Sequence, residues 1–273
     1  MLNKNLLTRT ITGTIYGVVL ISSLLLGEMS SALFFLIAMF ISLHEFYTIS
    51  SNKNINPQII LGLLTSFCIY SSAFFYFKNI ELSAIFIQFT LLFLLVINAI
   101  ELFRNKENSL KNIAITLFGI FYISVPLSLT FFLTHYNLKE FNYTLLLCII
   151  ILIWMSDIGG YFIGSKFGKN KLFERVSPKK TWEGALGGLI FSIISCIIIS
   201  NFTTVLSPLQ WIIFGVVITA GSIIGDLIES MIKRAVNVKD SGTILPGHGG
   251  VLDRIDSALF VIPLAYIFLT FVA

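Results

Sequence analysis

Between Lys239 and Asp256 the chain reads KDSGTILPGHGGVLDRID. Two cations, three aspartates, a histidine and four glycines crowd into this stretch, while its surroundings are apolar. Asp253 and Asp256 lie three apart, as do Asp226 and Glu229 upstream, a spacing that puts each pair on one helical face. Carboxylates held that close repel unless a cation sits among them. Oxygen donors with no Cys or His cluster suit Mg2+. Gly247, Gly249 and Gly250 bracket His248 just after Pro246. Glycine lets the backbone approach a ligand and adopt positive φ, so this loop could cradle a phosphate; His248 could bond that phosphate or cap the turn. A second polar stretch, SKFGKNKLFERVSPKKTWEG, runs from Ser165 to Gly184. Pro178 can end one element and start another, which would place Lys179, Lys180 and Thr181 at a helix N-terminus, where free N–H groups favour anions. The plainer alternative is an anchor on anionic lipid head groups. Asp157 and Asp226 lie within apolar runs, where an ionised side chain costs about 2.5–3.5 kcal/mol by insertion scales.

The elements that must position these residues are membrane spans. The chain has 273 residues, of which 56% are hydrophobic and 12% charged. Soluble domains carry about twice that charge, so lipid must serve as solvent for much of the surface. Apolar runs fall at 10–27, 29–45, 58–77, 82–103, 112–134, 143–163, 183–201, 209–229 and 256–273, the second and last being short. Such runs span as helices because hydrocarbon cannot satisfy open backbone groups. The expected fold is therefore an all-α integral membrane protein, a polytopic bundle of about nine transmembrane helices with a cytoplasmic N-terminus. Lys and Arg favour the cytoplasmic side. With the N-terminus inside, sixteen of the eighteen, Lys4 and Lys53 among them, fall on inside segments, and only Lys78 and Lys139 fall outside. The first run lacks a clear cleavage site and reads as a retained helix.

That topology places both polar stretches on one side, where they could form one site. The chain reads as one membrane domain, with N-terminal helices over 1–135 and catalytic helices and loops over 136–273. Cys68, Cys148 and Cys196 sit in apolar runs and read as packing residues; His44 and His135 carry no motif. No cluster of cations with aromatic platforms suggests nucleic acid. The residues alone point to a metal-bound phosphate substrate, as an enzyme acting on a nucleotide and a phospholipid would require, and they do not name the nucleotide.

The spacing Ser230-x-x-Lys233-Arg234-x(4)-Lys239-Asp240-x-Gly242-x-x-x-Pro246-x-His248-Gly249-Gly250-x-x-Asp253-Arg254-x-Asp256 closely resembles the signature of the phosphatidate cytidylyltransferases, or CDP-diacylglycerol synthases, at every fixed position. The string from Ser177 to Gly184 resembles the family too, as does Asp157-x-x-x-Tyr161-x-x-Gly164-x-x-Phe167-Gly168, with Gly160 where members commonly have Ala. The N-terminal half is similar only as a set of apolar spans. The resemblance implies transfer of the cytidylyl group of CTP to phosphatidate, releasing pyrophosphate. It implies Mg2+, with a second cation such as K+ as a further option, and a homodimer as the assembly often adopted. It implies a multi-pass protein of the cell's inner membrane whose active site faces the cytoplasm.

By position in the motifs, Asp226 and Asp253 would be the metal pair. Asp157, Ser177, Lys179, Lys180, Thr181, Glu183, Lys233, Arg234, Gly249 and Gly250 would bind substrate. Lys239, Asp240, His248, Arg254 and Asp256 would form the catalytic set. A phosphomonoester has its second pKa near 6, so phosphatidate is largely dianionic at neutral pH and needs charge shielding more than a base. Other readings differ in class. CDP-alcohol phosphotransferases carry a D-x-x-D-G-x-x-A-R motif that is absent here. An anion transporter would place broken helices in two related halves. A dolichol-kinase-like lipid-phosphate enzyme would differ in its acceptor.

Overall fold

The computed structural model describes residues 2–52, 54–137 and 140–272, with side chains from residue 7 onward. Lys53, Lys139 and the side chain of Lys4, which entered the charge pattern, lie outside the described residues. Among the described residues nine spans are long and apolar enough to cross a membrane. They are built from α1 (Leu2–Leu25), α2 (Glu28–Ser50), α3 (Ile59–Tyr76), α4 (Ile80–Phe103), a composite fifth span, α8 (Thr144–Phe167), α9 (Trp182–Ile199), α10 (Pro208–Ala235) and α11 (Leu252–Val272). The fifth span, Ser109–Thr134, strings together α5 (Ser109–Gly119), a π-helical turn (Ile120–Ser124), α6 (Val125–Ser128) and α7 (Thr130–Thr134). Pro126 withdraws its N–H from the helical ladder there, a common cause of such a break. The only sheet among the described residues is a hairpin of β1 (Lys171–Phe173) and β2 (Ser177–Thr181), antiparallel and bulged.

Three helix ends differ from the apolar runs. α2 continues through Glu45 to Ser50, and α11 begins at Leu252, so neither span is short. α10 continues to Ala235, so Asp226 lies inside a helix and not at its end. In each case polar residues ended the apolar run while helical hydrogen bonding went on beneath them.

Packing sorts the chain into two compact units. The first comprises Met1–Tyr143 with Val236–Ile255, the second Thr144–Ala235 with Asp256–Ala273. In the first, Tyr47 of α2 is fully buried and donates its hydroxyl to Thr116 O at 2.7 Å. Glu101 of α4 is buried and accepts from Gln58 Nε2 at 2.7 Å, Asn112 Nδ2 at 2.7 Å and Arg104 Nη1 at 2.9 Å. A carboxylate can be buried when its acceptor sites are filled in this way. In the second, α8 and α9 touch backbone to backbone. A Cβ on Gly159 would come within 2.6 Å of Gly187 O, and one on Gly188 within 2.8 Å of Ser156 O. Small residues permit such close approach where helices pack in lipid.

Candidate functional site

In the second unit the hairpin leads directly into α9. Thr181 ends β2 and is the N-cap of α9: its extended backbone turns the Oγ1 to accept from Gly184 N at 3.1 Å. This satisfies one of the orphan N–H groups of a helix start. Glu183 folds back on the entry to the hairpin, accepting from Lys169 N at 3.1 Å and Asn170 Nδ2 at 2.8 Å. The expected Lys179-Lys180-Thr181 helix start is therefore present, with both lysines on the strand that precedes it.

Lys179, Lys180 and Thr181 line a cavity of about 470 Å3, together with Asp157 and Tyr161 of α8 and Asp226 of α10. Small-molecule sites commonly have volumes of this order. Lys180 Nζ lies 2.5 Å from Asp226 Oδ2, and Ser230 donates to Asp226 Oδ1 at 3.2 Å. Asp256, near the start of α11, accepts from Ser257 N at 2.6 Å and lies within electrostatic reach of Asp226, Asp157 and Lys233. Lys233 is ion-paired with buried Glu229 one turn back along α10. Arg234, in the last turn of α10, is exposed, and Ser177 sits half-buried at the start of β2. Two aspartates and two lysines thus line one space, with Asp256 in electrostatic reach of both aspartates, an arrangement that can hold a cation and a polyphosphate.

The first unit holds the other predicted residues, on the segment 236–255. His248 N donates to Leu245 O at 2.8 Å, and Leu245 N to Gly249 O at 3.0 Å, which closes a tight loop. Gly249 takes φ +82, a value open to glycine at no steric cost. Asp253, only 8% exposed, accepts through one oxygen from Ser241 N and Ser241 Oγ at 2.9 Å and from Gly250 N at 2.8 Å. Lys239, Asp240 and Arg254 are exposed around this bracket.

Two points of support in the first unit, one on α1 and one on α2, escaped the sequence reading. Arg9 of α1 donates through Nε to Gly247 O at 2.8 Å, and Thr12 Oγ1 donates to Pro246 O at 3.1 Å, so α1 clasps the loop. Burial first, and then the positive charges of Arg254 and Arg9, hold the His248 pKa below its ordinary value. The second is Glu45 of α2, 4% exposed, whose carboxylate binds the start of α11. An acidic residue at the end of an apolar run was the available signal for Glu45; Arg9 looked like one more cytoplasmic anchor.

Nine apolar spans among the described residues, with a charged cavity in the second unit, mark the class of multi-pass membrane proteins with a polar binding cavity. Residues 7–272 match the sequence profile of the Cytidylyltransferase family, and the chain belongs to that family. A phosphatidate cytidylyltransferase of Bacillus subtilis (strain 168) is 30% identical over 263 residues, 96% of each chain. One from Staphylococcus haemolyticus (strain JCSC1435) is 34% identical over 265 residues, 96% of this chain and 98% of its own. One from Haemophilus influenzae (strain ATCC 51907 / DSM 11121 / KW20 / Rd) is 45% identical over 146 residues, 51% of each chain.

Proposed function

We propose that this protein transfers the cytidylyl group of CTP to phosphatidate, giving CDP-diacylglycerol and pyrophosphate. A phosphate oxygen of phosphatidate attacks the α-phosphorus of CTP. The bond from that phosphorus to the bridging oxygen breaks, and pyrophosphate leaves with the electron pair. The observation that carries this reading is the cavity of the second unit, with Lys179, Lys180, Asp157 and Asp226 on its wall beside the capped start of α9. Lys179 and Lys180 bind phosphate oxygens and offset the repulsion between two anions. The Lys180–Asp226 pair holds the lysine in place before substrate arrives. Phosphatidate enters as a dianion, which accounts for a site without a Ser-His-Asp or Cys-His arrangement.

The donor set fits Mg2+. Among the described residues no group of three or more His, Cys, Asp or Glu is arranged to hold a metal, and Mg2+ needs only one or two carboxylates beside water and substrate phosphates. Asp226 of the second unit and Asp253 of the first are each proposed as carboxylate ligands to Mg2+, which when bound would neutralise charge on the transferring phosphate. A second cation such as K+ belongs to the same proposal. His248 and Arg254, with Lys239 nearby in the chain, are proposed to hold phosphate oxygens, and Lys233 and Arg234 to do the same from α10. The N-terminus and the site-bearing loops face the cytoplasm of the inner membrane, an orientation supported by the distribution of Lys and Arg. A homodimer, which the family resemblance implies as an assembly often adopted, belongs to the same proposal.

The test is turnover by protein purified in detergent with CTP, Mg2+ and phosphatidate. CDP-diacylglycerol and pyrophosphate are expected in equal amounts. Activity with ATP in place of CTP, or with polyprenyl phosphate in place of phosphatidate, and none with the named pair, would overturn the reading.

A further inference from the structure

Glu45 is a carboxylate buried near the C-terminal end of an apolar helix, and such a group persists only when its acceptor sites are filled. The donors come from a segment about 200 residues further along the chain, within the same unit. Glu45 Oε1 accepts from Val251 N at 3.1 Å. Oε2 accepts from Leu252 N at 2.9 Å and from Ser241 Oγ at 3.3 Å. Leu252 opens α11 and Val251 directly precedes it, so Glu45 caps that helix from a different helix and supplies negative charge at its N-terminus.

Two glycines of the signature make room for this carboxylate. A Cβ on Gly242 would run into Glu45 Oε1, and one on Gly250 into Glu45 Oε2 and Ser241 Oγ. Ser241 also joins the two buried acids. Its single hydroxyl proton is shared between Glu45 Oε2 and Asp253 Oδ2, the latter at 2.9 Å. The segment from Ser241 to Asp253, with His248 on it, is thus built around a side chain that the linear motif does not contain.

We propose that Glu45 is a positioning residue for cytidylyl transfer, fixing the Ser241–Leu252 bracket from which His248, Asp253 and Arg254 are presented. The proposal rests on the reaction assigned above. A misplacement of about 1 Å in such a bracket can cost about 100-fold in rate, whereas a buried carboxylate with a purely structural role changes stability alone.

The test compares Glu45→Gln, Ser241→Ala and Glu101→Gln with the wild-type protein. Glutamine keeps the volume of Glu45 but turns an NH2 group toward at least one N–H donor. Folded Glu45→Gln is expected to lose about 10- to 100-fold in kcat, with KM for CTP and phosphatidate within about twofold. Amide exchange over 241–252 in the substrate-free protein should quicken. Glu101→Gln, in a carboxylate network away from the signature, should lower Tm and leave kcat per folded molecule unchanged. If Glu45→Gln does not fold, Ser241→Ala decides, with a loss of about three- to tenfold expected from removal of one shared hydrogen bond. Turnover within twofold of wild type in folded Glu45→Gln, or in Ser241→Ala where the first cannot be made, overturns the inference while the reaction stands. A wild-type protein that makes no CDP-diacylglycerol overturns the reaction and the inference with it.

Discussion

Both units bury or half-bury aspartate and glutamate in an apolar protein, and they do so in opposite ways. In the first, Glu45 and Asp253 are surrounded by backbone N–H groups and one hydroxyl, donors fixed by the fold. In the second, Asp226 faces Lys180 across a cavity wall, with Asp157 and Asp256 close by. Fixed donors make a carboxylate part of the scaffold. A lysine on a flexible stem can exchange its carboxylate for a phosphate, so the same residue type becomes part of a binding surface. The difference teaches that burial alone does not separate scaffold from site; the kind of donor does.

The comparison is broken most forcefully at Lys180. Lys180→Ala should lower kcat/KM by about 100- to 1000-fold, about 3–4 kcal/mol of transition-state stabilisation, with little change in Tm. Loss of folding without loss of specific activity would move Lys180 to the scaffold. Asp253→Asn probes the other unit. An amide oxygen can still accept from Ser241 and Gly250, so Tm should stay within a few degrees. If Asp253 holds Mg2+, activity should fall about 100-fold. Full activity in the folded variant would make Asp253 scaffold alone.

Smaller changes sharpen the picture. Thr181→Ala removes the N-cap of α9 and should cost about 1 kcal/mol, a fall in Tm of about 2–4 °C for a chain of this size; unchanged Tm would mean the cap is idle. Arg9→Gln removes one positive neighbour of His248. The imidazolium becomes less disfavoured, so the titration midpoint followed by NMR should move upward, toward the ordinary value. A midpoint that stays or falls would show that Arg9 does not act on the ring. Because the folded pKa lies below the ordinary value of about 6.5, His248 also contributes stability at neutral pH that is lost as pH falls through that window.

Much of this was legible in the sequence because hydropathy is a strong signal in lipid. All nine expected spans correspond to helices, and the motif lysines do precede a helix start. Where the reading fell short, polar residues were being satisfied by partners far away in the chain. Glu45 seemed to end a short span, yet α2 runs on to Ser50 because α11 supplies its donors. Glu229 closed the expected run 209–229, yet α10 continues to Ala235, and lysines from β2 and α10 pair with Asp226 and Glu229 inside the helix. The hairpin could not be foreseen, since strands of three and five residues, KLF and SPKKT, are too short for alternating hydropathy to stand out. Arg9 was one cation among eighteen until Gly247 O was seen to accept from it.

The most direct test of the central claim follows the label from α-32P-CTP into lipid by wild-type and Lys180→Ala protein, with phosphatidate and Mg2+ present. The account predicts lipid-bound label matched one to one by pyrophosphate in the wild type, and at least a 100-fold slower appearance in the variant. No label in lipid with the wild type, or equal rates in the two proteins, would contradict it.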